Sequence, residues 1–191
     1  VSVGARNVLA AAGAWALLDA AGIGPLRAMH VWEPAGACID FDAADVAAPA
    51  LAWVLRTAAL ETALVARTAA LAGIAWQRPA TVASLAQEDD AVRVLLDNGA
   101  AYRARCVVGA DGADSALRMH AGIGYRRHEY DQHAVFSVAR TDRPHGAVAR
   151  QVFLPEGPLA FLPMADPQMH AVIWSTTPAE AEGLRGMDAA T

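Results

Sequence analysis

Arg105-Cys-Val-Val-Gly-Ala-Asp-Gly-Ala-Asp-Ser-Ala-Leu-Arg118 is the stretch that decides how this chain is read. Its apolar run, Cys106 to Val108, leads into Gly109-Ala110-Asp111-Gly112, and Ser115-Ala-Leu-Arg-Met119 follows as a helix-compatible segment. The spacing predicts a strand, a tight glycine turn and a helix start. A helix start offers unpaired N–H donors and a partial positive charge, which suit a phosphate. Asp111 can accept from a sugar hydroxyl or from its own turn, and Ser115 or Asp114 can cap the helix. Arg118 lies one turn in, where it can add a charge-assisted bond. A ligand-free junction would need only the glycine; Asp, Gly, Ser and Arg together favour a nucleotide site.

Working outward, the chain alternates helical and β-type texture. Asn7 caps an expected helix to about Ala21, with Gly22 just past its end and Pro25 beyond; Gly22-Ile-Gly24 reads as a helix stop. His30 to Asp42 reads as a hairpin around Pro34-Ala-Gly36. Pro49 fits the first turn of a longer helix through Ala72, with Trp53, Leu60, Leu64 and Leu71 as one apolar, core-packing stripe. Ile74 to Leu85 is β-type, and Val92 to Leu96 and Tyr102 to Val108 flank the hairpin signal Asp97-Asn98-Gly99. Beyond Arg118, strands are expected near 133–141, 147–154, 158–164 and 169–176, then a helix start at Pro178.

Composition bounds the function. The 191 residues are 55% hydrophobic and 18% charged, enough to build a core. A net charge of −5 without a Lys/Arg cluster leaves no electrostatic footprint for nucleic acid. Cys38 and Cys106 stand in apolar contexts and are expected as buried, reduced thiols, in keeping with a cytoplasmic setting. The apolar stretch Val8 to Leu26 is interrupted by Asp19 and by Gly22-Ile-Gly-Pro25, so no membrane span is expected. The six histidines lack metal-ligand spacing, and no metal is expected.

The segment Gly109-Ala-Asp-Gly-Ala-Asp-Ser-Ala-Leu-Arg118 resembles the Asp-Gly fingerprint of FAD-dependent aromatic hydroxylases, the family of para-hydroxybenzoate hydroxylase and the ubiquinone-biosynthesis hydroxylases. The second branch fits better because the resemblance continues on both sides. Arg6-Asn-Val-Leu-Ala-Ala-Ala-Gly-Ala-Trp-Ala-Leu-Leu18 resembles the helix after its first flavin-binding unit. Phe153-Leu-Pro-Glu-Gly-Pro-Leu-Ala-Phe-Leu-Pro163 and Ala171-Val-Ile-Trp-Ser175 resemble its substrate-domain strands. There is no Gly-x-Gly-x-x-Gly opening a first βαβ unit, and the family's later Gly-Asp segment is missing. The chain is therefore expected to be the middle of a larger flavoprotein that binds FAD poorly or not at all by itself.

The resemblance implies an α/β fold: a partial Rossmann-like FAD-binding domain (1–27 and 48–121) with a mostly antiparallel β substrate domain (28–47 and 122–191). It implies FAD and NAD(P)H as cofactors. NAD(P)H reduces the flavin, O₂ is activated, and one oxygen atom goes to an electron-rich aromatic ring such as a ubiquinone precursor. Asp111 and Gly112 then lie beside the dinucleotide, with Ser115 and Arg118 ordering the loop or a phosphate. Arg6 reaches flavin phosphates or the nicotinamide cofactor, Arg56 approaches the flavin, Val82 touches adenine through its backbone, and Pro163 lines the ring-binding cleft. Relatives usually carry Arg at the position of Val152; Arg150 lies on the same strand face, so either Arg150 substitutes or the contact is lost, which leaves the substrate open. No residue is assigned as a catalyst. The isoprenoid tails of quinone precursors imply peripheral contact with the inner membrane or with a biosynthetic assembly. A related reductase or halogenase activity, and a non-catalytic scaffold role, stay open.

Overall fold

Ser2 begins the first helix: its hydroxyl accepts the Ala5 amide at 3.3 Å, and α1 runs Val3–Ala11. The computed structural model describes residues 1–187. The expected helix to Ala21 is thus about half as long and starts at Ser2, not Asn7. Gly13 ends it, in the left-handed region at φ +77°, and the Ala14 amide reaches back to the Leu9 carbonyl at 2.9 Å. Gly13, not Gly22, is the residue past the helix end. Two short 3₁₀ turns follow, at Trp15–Leu17 and Ala20–Gly22. Gly24 opens strand β1, Gly24–Leu26, where a helix stop was expected. A β-carbon on Gly24 would lie 2.5 Å from the Pro163 carbonyl oxygen, so glycine lets the two backbones meet.

The hairpin forms as expected, from β2 (Ala28–Trp32) and β3 (Cys38–Asp42) in antiparallel register. The helix expected from Pro49 does not start there. Residues 52–54 form β4, Ala52–Val54, paired with β1, and the helix α2 is Thr57–Ala69. Trp53 therefore belongs to a strand, and Leu64 and Leu71 are exposed, so the four-residue stripe is not a core seam. Arg67 ties α2 to the end of α1 by donating from Nε to the Ala12 carbonyl at 2.6 Å, a cation on a helix C-terminus.

The chain divides into two compact units, residues 1–74 with 129–191 and residues 75–128. In the second unit, β5 (Val82–Gln87), β6 (Val92–Leu96) and β7 (Ala101–Ala104) make an antiparallel meander, followed by helix α3 (Ala116–His120). The β-type stretch expected from Ile74 forms a strand only from Val82. At the Asn98-Gly99 turn only Gly99 takes positive φ, +84°, and the Asn98 side chain accepts the Ala100 amide. The run 106–110 pairs with no strand among the described residues, since β7 ends where its partner β6 begins, at Ala104 against Val92. Cys106 is accordingly exposed, and so is Cys38 on the edge strand β3; neither is the buried thiol expected.

In the first unit, β8 (His133–Arg140), β9 (Val148–Leu154), β10 (Gly157–Pro163) and β11 (Met169–Thr176) lie where strands were expected. With β2 and β3 they form a six-stranded sheet in the order β3-β2-β9-β10-β11-β8. Every neighbouring pair is antiparallel except β2 with β9. Helix α4, Pro178–Arg185, follows, capped by the Thr177 hydroxyl. The architecture is mixed α/β with mostly antiparallel sheets.

Candidate functional site

Asp111 is the hinge of the 109–118 segment. One carboxylate oxygen accepts the Ser115 hydroxyl at 2.5 Å and the other accepts the Leu117 amide at 3.1 Å. The Ser115 hydroxyl in turn caps the Arg118 amide at 3.0 Å. The leading amides of α3 are therefore bonded to the chain's own side chains, and the expected phosphate cradle at the helix start is not available. The donors that remain lie just before it. The amides of 107–110 and of Gly112 donate to no atom among the described residues. Gly112 holds φ +87° with open space where a β-carbon would lie. Such a row of unspent backbone donors fits a polar or anionic ligand edge.

Arg118 is committed locally. It donates to the Ala113 carbonyl at 2.7 Å, and its guanidinium lies 3.9 Å from the Tyr125 ring centre. The carboxyl of Asp111 is held below the usual carboxylate range, first by the Ser115 hydroxyl and then by the Leu117 amide. The Val82 carbonyl, in the same unit, faces the His120 ring at 3.2 Å.

The first unit holds a cavity of about 550 Å³ on one face of the six-stranded sheet. Strand alternation sends Phe136 and Val138 of β8, Leu162 and Met164 at the end of β10, and Ala171 and Ile173 of β11 to that face. Trp53, Leu55, Arg56 and Leu60, from β4 and the start of α2, complete the wall. Arg56 is the residue from which α2 begins, and its exposed side chain has no hydrogen-bond partner among the described residues. An apolar recess with the Arg56 guanidinium at its rim suits a ring carrying an oxygen substituent.

Pro163 is fully buried and does not line this cavity; its neighbours Leu162 and Met164 do. Residues 162 and 163 point to opposite faces of β10. Arg150 and Val152 share a face, as expected, opposite Phe161 and Leu159. That is the face away from Leu162 and the cavity. Arg6 stands over two indoles, 5.5 Å from the Trp15 ring centre and 5.1 Å from that of Trp53. Of the expected site residues, Val82, Asp111, Gly112, Ser115 and Arg118 fall in one unit, and Arg6, Arg56 and Pro163 in the other. The cavity residues on β8, β10 and β11 were missed, although alternation at 136/138, 162/164 and 171/173 carried the signal.

Among the described residues no group of His, Cys, Asp and Glu could hold a metal ion, and no helix is long and apolar enough to cross a membrane.

Comparison with known proteins places these features in a family. Residues 5–187 match the family model described as an FAD binding domain. The 3-demethoxyubiquinol 3-hydroxylase of Escherichia coli (strain K12) is 31% identical over 190 residues, covering 100% of this chain and 48% of the relative. The mitochondrial ubiquinone biosynthesis monooxygenase COQ6 of Danio rerio is 33% identical over 199 residues, 98% of this chain and 41% of the relative. The chain thus spans about half the length of these relatives. PqsL of P. aeruginosa, solved in complex with 2-aminobenzoylacetate, superposes with a TM-score of 0.81 at 19% identity, covering 96% of this chain and 51% of that one.

Proposed function

This chain belongs to the FAD-binding-domain family of flavoprotein hydroxylases, in its ubiquinone-biosynthesis branch, and on that premise we propose what it does. It is the central part of an FAD- and NAD(P)H-dependent monooxygenase that hydroxylates an aromatic ring, a ubiquinone precursor. The observation that carries this reading is the apolar cavity with Arg56 at its rim. Its wall of Phe136, Val138, Leu162, Ala171 and Ile173 offers a ring apolar contact and no competing side-chain hydrogen bond. Arg56 donates to an oxygen substituent and so fixes which edge of the ring faces inward.

The residues present fit FAD at the turn ahead of α3: the unspent amides of 107–110 and Gly112 can donate to its polar atoms. Asp111 keeps lone pairs beyond its two internal bonds and can accept from a sugar hydroxyl. Ser115 and Arg118 hold the loop, and Val82 would offer backbone to the adenine. When bound and reduced by NAD(P)H, FAD supplies the activation of O₂ for transfer of one oxygen atom. Residues 1–27 and 48–121 are assigned to the flavin-binding part, and 28–47 with 122–191 to the substrate sheet, to which they contribute all six strands. A substrate with an isoprenoid tail places the work at the cytoplasmic surface of the inner membrane, in peripheral contact.

A chimera tests this. The chain replaces the matching half of the E. coli 3-demethoxyubiquinol 3-hydroxylase, and flavin absorbance, NADH and NADPH oxidation, and hydroxylated product are measured. All three are expected. Absence of both bound flavin and product in a folded chimera would point to a scaffold, and a reduced or halogenated ring would overturn hydroxylation.

A further inference from the structure

Arg6 has a cation to place and no carboxylate to pair with among the described residues. It sits on α1, whose start is laced to β4: the Val1 ammonium donates to the Trp53 carbonyl at 2.6 Å, and the Trp53 amide donates to the Val1 carbonyl at 2.9 Å. Trp15 closes the group from the 3₁₀ turn after α1, edge-on to Trp53 with ring centres 5.7 Å apart and planes at 71°. A guanidinium is weakly hydrated and planar, so it is suited to lie over two indoles at once. Trp53 is also a wall residue of the cavity. α1, the 3₁₀ turn and β4 therefore meet at one cation, and that cation contacts the indole that bounds the proposed ring site.

We infer that Arg6 is a positioning residue: through its cation–π contacts with Trp53 and Trp15 it fixes the indole wall of the ring-binding cavity. The inference rests on the ring-site reading of that cavity only for its functional half. The orientation of Trp53 is a property of the chain itself.

The test uses the purified chain and 2,3-dimethoxy-5-methyl-1,4-benzoquinone, a quinone that quenches tryptophan emission. Trp53→Phe identifies the quenched component. Arg6→Ala is expected to shift Trp53 emission and to raise the half-quenching concentration about fivefold, in line with two cation–π contacts. Arg6→Met keeps the stem and should behave like Arg6→Ala, whereas Arg6→Lys restores at least half of the loss. Far-UV circular dichroism should be unchanged throughout, which separates positioning from unfolding. Unaltered emission and quenching in Arg6→Ala would overturn the proposal. So would a loss of FAD binding in the chimera with quinone affinity intact. If the wild-type chain shows no Trp53 quenching at all, the ring-site reading fails, while the emission shift still decides whether Arg6 sets the indole.

Discussion

The Asp111 carboxylate and the Ser115 hydroxyl lie 2.5 Å apart, and this bond turns the α3 start inward. Ser115 donates its proton to Asp111 and uses its oxygen to accept the Arg118 amide, so the two side chains act as one cap. What remains for a ligand is the open backbone ahead of the helix.

Ser115→Ala removes both links of that cap. A loss of about 1 kcal/mol is expected, read from denaturant unfolding. Combining it with Asp111→Asn should cost less than the two single changes together, because they share one network. Additive losses would show that the residues act independently.

Acid should undo the same cap. The Asp111 carboxyl is depressed by the Ser115 hydroxyl and the Leu117 amide, so the folded form releases its proton more readily than the unfolded one. Its contribution is complete above the ordinary carboxylate value of about 4 and is lost as pH falls through the lower folded value. Carboxyl carbon chemical shifts followed by NMR should show Asp111 titrating below the exposed Asp residues, with Leu117 amide protection falling in step.

His170 gives a second pH dependence, nearer neutrality. It is buried, with Nε2 3.2 Å from the Thr141 hydroxyl, and its Nδ1 has no hydrogen-bond partner among the described residues. Burial first, then the neighbouring His145 and Arg150, hold its pKa below the usual histidine value. The unfolded chain therefore takes up a proton first, and stability should fall as pH drops below about 6.5 toward the folded value. His170→Gln should flatten that part of the stability–pH curve; an unchanged slope would remove His170 as its source.

Gly157 is a backbone constraint on the sheet. Its φ is +136°, and a β-carbon there would overlap the Ser175 carbonyl. Gly157→Ala should destabilise by about 3 kcal/mol or more, from overpacking and an unfavourable backbone angle together. A thermal midpoint within a degree of wild type would contradict the geometry.

Filling the cavity should separate its role from that of the loop. Ala171 is 4% exposed and forms part of the floor. Ala171→Leu is expected to weaken quinone quenching at least tenfold while leaving FAD content of the chimera unchanged. Arg56→Gln should weaken quinone binding with little dependence on salt, because the quinone is uncharged and what is lost is a hydrogen bond from the guanidinium.

The late strands were legible because each is a β-rich run bounded by Pro, Gly or Asp turns, and their limits fell within a residue or two of expectation. The early helices were not. Alanine fits helix and loop alike, so residues 9–21 offered no internal boundary except Gly13, whose left-handed backbone ends α1. Around Pro49 the helical reading lost to tertiary pairing, since β1 supplies the partner that makes 52–54 a strand. At the site, residue types at 109–118 announced Asp111 and Ser115. That they cap each other depends on the folded turn, which residue type alone does not specify. The cavity was legible only as alternation, and its partner wall on β4 and α2 depends on contacts between distant segments.

The parallel join of β2 to β9 bears on how the chain is assembled during synthesis. Ala28 pairs beside Val148, which leaves the ribosome 120 residues later. Until then the hairpin of β2 and β3 has one raw border and must wait, with Met29 and Val31 unsheltered, while the whole of residues 75–128 is translated and can fold. Nascent-chain length, more than any local propensity, is what times the closing of the sheet.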